Sequence, residues 1–162
     1  MSFAMTLPTA IGTLILVADE QGLSRIILPP CLDLEQKSSF QDRHGMTTAD
    51  HPLLDAAAGQ IIAYLRGRLT DFDLPLSLTG TRFRQQAWTI MRTIPYGETC
   101  TYGEIARELG NDGLARAVGG AANANPVPLV IPCHRVVGAH GRLTGFAGGL
   151  TMKKYLLELE KR

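Results

Sequence analysis

Cysteine is scarce here: three residues in a chain of 162, scattered along it. That excludes a small secreted module stapled by disulfides. No apolar run approaches the roughly 18 residues that a membrane-spanning helix needs. The opening MSFAMTLPTA has no basic stretch ahead of an apolar one, so no secretory leader is expected. Internal repeats and low-complexity tracts are also lacking. Charged residues make up only 19% against 45% hydrophobic, which excludes a disordered tail. These absences predict a soluble, reduced, cytoplasmic globular protein.

The net charge of +1 hides an uneven distribution. Residues 1–81 carry five Lys/Arg against nine Asp/Glu, and residues 82–162 carry eleven against six. A basic second half points to a polyanion partner for that half, although two subdomains differing in surface charge would look the same.

The first half reads as a small β-sheet with a helix. Residues 14–17 and 23–28 form two apolar runs around Gln21-Gly22, a hairpin signal that Pro29-Pro30 ends. Residues 31–50 are polar and aperiodic and read as loop. Leu53, Leu54, Ala57, Ala58, Ile61, Ile62 and Leu65 fall at helical spacing over 52–65, with a stop at Gly67. Phe72, Leu74, Leu76 and Leu78 alternate and predict one more strand. The fold class expected is α+β, with an N-terminal α/β domain over 1–79 and a mostly helical C-terminal domain over 80–162.

In that second domain Phe83, Ala87, Ile90, Met91 and Ile94 mark a helix face that Pro95 terminates. Thr101 and Glu104 stand at capping-box spacing ahead of a short helix over 102–109. A third helix follows from Asn111 or Asp112 to about Ala122. Two short helices joined by a few residues that include Gly110 have the outline of a helix-turn-helix, and equally of an ordinary helical hairpin. Gly119-Gly120 in the third helix costs about 1 kcal/mol per glycine relative to alanine, so something must approach its nearly bare face closely. Met152, Tyr155, Leu156 and Leu159 predict a C-terminal amphipathic helix.

Chemistry concentrates at Asn125-Pro126-Val127-Pro128-Leu129-Val130-Ile131-Pro132-Cys133-His134-Arg135. Three prolines fix the backbone, and an apolar strand at Leu129-Val130-Ile131 is expected to lead to the cysteine. A thiol becomes a nucleophile as its thiolate, and a nearby imidazole is a common activator. Neighbours on an extended segment point to opposite faces, so the pair would act through a bridging water. An inert core thiol is the plainer reading of a Cys-His dipeptide.

This segment resembles the active-site motif of the O6-alkylguanine-DNA alkyltransferases, the methylated-DNA–protein-cysteine methyltransferases. Ile94-Pro95-Tyr96-Gly97-Glu98-Thr99, Tyr102-Gly103, Ala115-Arg116-Ala117-Val118-Gly119, Thr144-Gly145-Phe146-Ala147-Gly148-Gly149 and the stretch ending in Glu160 resemble that family's other blocks, in order. The resemblance implies that Cys133 accepts an alkyl group from O6 of guanine, and also from O4 of thymine, once and irreversibly. It implies that His134 removes the thiol proton through a water, that Glu160 orients His134, and that Asn125 braces the turn. Tyr102 would crowd the target phosphate and bond the flipped base. Val136 and Cys133 would offer carbonyls to the guanine amino group, while Ala122, Pro128, Leu143, Ala147 and Gly148 would line the alkyl pocket. Arg116 would fill the vacated place in the stack. Gly103, Asn111, Ala117, Asn123 and Arg135 would complete, with Tyr102, the contact to the minor groove.

The implied partner is duplex DNA carrying O6-alkylguanine, bound by a monomer without any cofactor. Phe146 stands where tyrosine is common, Ala147 where some relatives have serine, and Asn123 in place of a basic residue. Cys31, His44 and His51 lack metal-ligand spacing, so no zinc is expected. An alkyltransferase-like damage sensor is the alternative, and Cys133 argues against it. A Cys-His hydrolase would need an oxyanion hole that nothing in the sequence points to. A helix-turn-helix regulator would need a polar base-reading helix face.

Overall fold

The structure is a computed structural model that describes residues 2–29 and 51–162. The loop expected at 31–50, with Cys31 and His44, lies outside the described residues. The chain divides into two units, Met1–Leu78 and Thr79–Arg162.

In the first unit β1 (Phe3–Thr9), β2 (Gly12–Ala18) and β3 (Leu23–Ile27) form an antiparallel sheet in that order. β2 is the central strand, and Leu14 through Ala18 are all buried, as a strand covered on both faces requires. The sequence pattern predicts β2 and β3 but not β1. Pro8 counts against a strand, and it is tolerated because β1 pairs on one side only, with Pro8 opposite Thr13. The turn into β3 is tied by Asp19, whose Oδ1 accepts from the Gln21 and Gly22 amides at 2.7 and 3.1 Å.

Helix α1 (Pro52–Leu65) turns Leu54, Ala57, Ile61 and Tyr64 inward at the predicted spacing. It ends in a Schellman turn: Gly67 N donates to Tyr64 O and Arg68 N to Ala63 O, with Gly67 at φ +72°, open to glycine at little cost. The strand expected over 72–78 is instead a single parallel bridge, Leu23 to Leu76. Leu23 N bonds Pro75 O and Ser77 N bonds Leu23 O, but Pro75 has no N–H with which to extend a ladder.

The second unit is mostly helical. α2 (Arg82–Met91) is capped by Thr81, whose hydroxyl accepts from Arg84 N. The helix stops three residues before Ile94, because a residue preceding proline is driven out of the helical region. Buried Trp88 donates its indole N–H to Ala121 O at 2.8 Å, joining α2 to α4. β4 (Cys100–Thr101) pairs in parallel with β5 (Val136–Val137). α3 (Tyr102–Glu108) begins with the predicted capping box of Thr101 and Glu104. The third predicted helix starts later than expected: Asn111 caps a 3-10 turn (Asp112–Leu114), and α4 follows over Ala115–Asn123. Further 3-10 turns at Cys133–Arg135 and Ala139–Gly141 precede α5 (Leu150–Leu159). The fold is therefore α+β, a small antiparallel sheet with a helix followed by a mostly helical half.

Candidate active site

Cys133 is not reached by a strand. Ile131 N bonds back to Val127 O, and Leu129 within that turn takes φ +76°, a left-handed conformation that an L side chain adopts only under constraint. The constraint comes from burial of Leu129 and from Asn125. The Asn125 amide donates to Ile131 O at 2.8 Å, while its carbonyl accepts from Val127 N at 3.0 Å. Cys133 N also bonds Ile131 O, across Pro132 at φ −80° and ψ 64°. That is an inverse γ-turn, and it delivers the cysteine onto a buried 3-10 turn. The expected apolar strand fails because three prolines among 126–132 remove the donors that a ladder would need.

Cys133, His134 and Arg135 are all buried. Desolvation pushes the Cys133 thiol up to about 11, against the pull of the Asn125 amide and the Lys153 ammonium. His134 is held below its ordinary range by burial, although its bond to Glu160 favours the charged ring. His134 Nε2 lies 2.6 Å from Glu160 Oε2. The carboxylate can only accept, so the neutral ring carries its proton on Nε2 and its lone pair on Nδ1. This leaves a neutral base next in sequence to a protonated thiol.

Arg135 was expected among the DNA contacts. It is instead 5% exposed, and its donors are taken up by Glu160 and by the carbonyl of Ile94. A guanidinium so enclosed cannot reach a phosphate. Gly97 N adds a further bond to Glu160 Oε1 at 3.2 Å. Four expected residues, Cys133, His134, Glu160 and Asn125, thus share one buried region.

Around it, Tyr102 opens α3, and its Oη accepts from Thr144 Oγ1 at 2.9 Å. Ala122 and Pro128 are buried, Leu143 and Gly148 half-buried, and Ala147 exposed. A Cβ at Gly148 would displace the Met152 side chain and crowd the Phe146 ring. Val136 O already accepts from Lys153 Nζ at 2.6 Å, and Thr144 O accepts from the same ammonium at 2.9 Å.

Lys153 is the residue that sequence reasoning missed. It is fully buried, and burial lowers its pKa while the Cys133 side chain raises it. A signal existed: Lys153, Leu156 and Glu160 share one face of α5 at helical spacing, so two charges fall on its buried side. Exposed Asn111, Arg116, Ala117 and Asn123, with half-buried Gly103, lie on α3, α4 and the turn between them. Cys100 is a second free thiol, pushed to about 12 by burial and by Glu104. Among the described residues no group of three His, Cys, Asp or Glu side chains could hold a metal ion, and no helix is long and apolar enough to cross a membrane.

Two family models match this chain. The 6-O-methylguanine DNA methyltransferase DNA binding domain matches residues 82–162, and the ribonuclease-like domain of the same name matches residues 4–78. A methylated-DNA–protein-cysteine methyltransferase from Mycobacterium bovis is 44% identical over 96% of this chain and 90% of its own length. One from Methanosarcina acetivorans is 42% identical over 93% and 92%. The crystal structure of the Mycobacterium tuberculosis O6-methylguanine methyltransferase superposes with a TM-score of 0.84 at 42% identity, covering 99% of this chain and 93% of that one. The Mycobacterium tuberculosis OGT in complex with DNA superposes at 0.81 with 44% identity, over 99% and 92%. With both halves matched and the relatives covered nearly end to end, this chain belongs to the 6-O-methylguanine DNA methyltransferase family.

Proposed function

We propose that this protein repairs alkylated DNA by moving an alkyl group, chiefly methyl, from O6 of guanine to Cys133. The observation that carries the reading is the buried thiol beside a neutral, carboxylate-held imidazole. With its pKa near 11, Cys133 rests as a thiol, and roughly one molecule in ten thousand is ionised at pH 7. Proton removal is therefore part of the reaction. His134 accepts the thiol proton through a water, and Glu160 stabilises the imidazolium. The sulfur attacks the methyl carbon in line, a C–S bond forms as the C–O6 bond breaks, and the electron pair passes to the guanine ring. Guanine takes up one proton, so the thiol hydrogen and the methyl group change places overall.

An O6-methyl group inside a duplex is out of reach of a buried sulfur, so the nucleotide leaves the stack, at a cost of a few kcal/mol that is lowest for a damaged pair. Tyr102 and the 143–148 loop receive the base. α3 and α4 act as a helix-turn-helix whose exposed face, with Arg116, Ala117 and Gly120, enters the minor groove. Arg116 holds the vacated place. The thioether has no group to hydrolyse it, so each molecule reacts once, and O4 of thymine offers the same leaving chemistry. Thr79–Arg162 is on this reading the DNA-binding and acceptor domain. The chain works as a cytoplasmic monomer, where a reducing compartment keeps Cys133 free.

Intact-protein mass after incubation with a duplex bearing one O6-methylguanine tests the reading. One added methyl group, mapped to Cys133 and absent from Cys133→Ala, is expected. Many turnovers with unmodified protein would overturn it.

A further inference from the structure

Arg135 is a charged residue with no role in the transfer chemistry set out above, yet it is enclosed at a site where desolvating a guanidinium is expensive unless its donors are matched. They are matched. Nε donates to Glu160 Oε1 at 2.8 Å and Nη2 to Glu160 Oε2 at 3.1 Å, a two-pronged bond to one carboxylate. Nη1 donates to Ile94 O at 2.7 Å, just beyond α2, and the guanidinium lies 5.6 Å from the Tyr96 ring centroid. Glu160 is the buried C-cap residue of α5, and holding its carboxylate in one rotamer costs side-chain entropy that bonds must offset. With the fork engaged, both oxygens are fixed, and Oε2 faces His134 Nε2 at 2.6 Å.

We propose that Arg135 is a positioning residue for the transfer step: its guanidinium fork fixes the Glu160 carboxylate and, through it, the His134 ring. The proposal rests on the alkyl-transfer reading of the site. The charged and titratable groups around His134 are Glu160 and Lys153 from α5 and its end, Cys133 and Arg135 from its own turn, and Tyr96 beside Arg135 and Glu160. Burial and the positive charges of Arg135 and Lys153 favour the neutral ring, while Glu160 favours the charged one. Removing the Arg135 charge therefore makes His134 easier to protonate, and the acid limb of the transfer rate moves to higher pH.

The test is single-turnover methyl transfer against pH at saturating duplex, with duplex affinity and thermal midpoint measured alongside, for wild type, R135M and R135K. R135M is expected to shift the acid-limb midpoint upward by about one pH unit, as loss of a nearby charge does. It is also expected to slow transfer at neutral pH by about 10- to 100-fold through misplacement of the base. R135K keeps the charge without the fork, so it should hold the midpoint and recover only part of the rate. Duplex affinity should stay near that of wild type in both. An unchanged midpoint in R135M, or a loss confined to duplex affinity, overturns the proposal. Should R135M fail to fold, R135K decides: wild-type rate and midpoint together overturn it. Titration of the His134 ring nitrogens by NMR follows the same group without DNA. A wild type that transfers no methyl would count against the function, while that titration still decides Arg135.

Discussion

Cys133 is 4% exposed, and burial alone would leave it a poor nucleophile. On the transfer reading its neighbours offset this. Burial also depresses His134, and that makes the imidazole an acceptor at neutral pH rather than a competing acid. The rate of methyl transfer should therefore stay level as pH falls from 8 to about 6.5, the ordinary histidine value, and drop only below it. The same shift links folding to pH. Below about 6.5 the unfolded chain binds a proton at this histidine that the folded chain refuses, so stability is full above that value and declines as pH falls toward the lowered folded pKa. Urea midpoints taken from pH 8 to 5 check the sign, and stability that rises on acidification would contradict it. Lys153 shows why the pattern at this scale was only partly legible. A lysine in an amphipathic helix normally reads as exposed, and the carbonyls of Val136 and Thr144 are what receive its ammonium inside the fold.

Helix α4 carries two poor helix formers among its alanines. Gly119 and Gly120 each cost about 1 kcal/mol relative to alanine, and nothing lies within 4 Å of where a Gly120 Cβ would stand. Packing inside the protein therefore does not require Gly120. Gly120→Ala should raise the thermal midpoint by about 2–4 °C. If α4 meets DNA at close range, the same methyl group should weaken duplex binding. A stabilised variant with wild-type affinity would remove Gly120 from the interface. The turn over 125–131 shows a contrasting economy: one side chain, Asn125, closes it with two bonds and holds Leu129 in a left-handed conformation. Capping boxes and amphipathic faces follow local rules, which is why α1 and α3 match expectation to within a residue. The 125–135 segment does not, because its shape is set by bonds between residues that no periodicity marks.

Across the whole chain, the charge asymmetry between the halves places the cationic excess on the side that carries α3, α4 and Cys133. Binding to duplex should weaken as salt rises, since phosphate contacts release counterions. Arg116 is exposed on α4, and its replacement tests extrusion apart from chemistry. Arg116→Ala should slow repair of O6-methylguanine in duplex by about 10-fold or more, in line with the few kcal/mol that extrusion costs. Its reaction with free O6-benzylguanine, which needs no extrusion, should be nearly unaffected. Equal losses with both substrates would make Arg116 a structural residue.

The sequence by itself determined the helices, the β2–β3 hairpin, the candidate nucleophile and the family resemblance, since periodicity, capping residues and ordered motifs are local or linear properties. It left Arg135 looking like a surface cation and Lys153 like a solvated one. Tertiary structure decided both, together with the edge strand β1 and the single bridge at Leu76. The physical reason is shared: whether a charge or a backbone N–H is buried, and what satisfies it there, depends on partners outside its own element, in the longest cases tens of residues away, as Glu160 lies from Arg135 and Leu23 from Leu76.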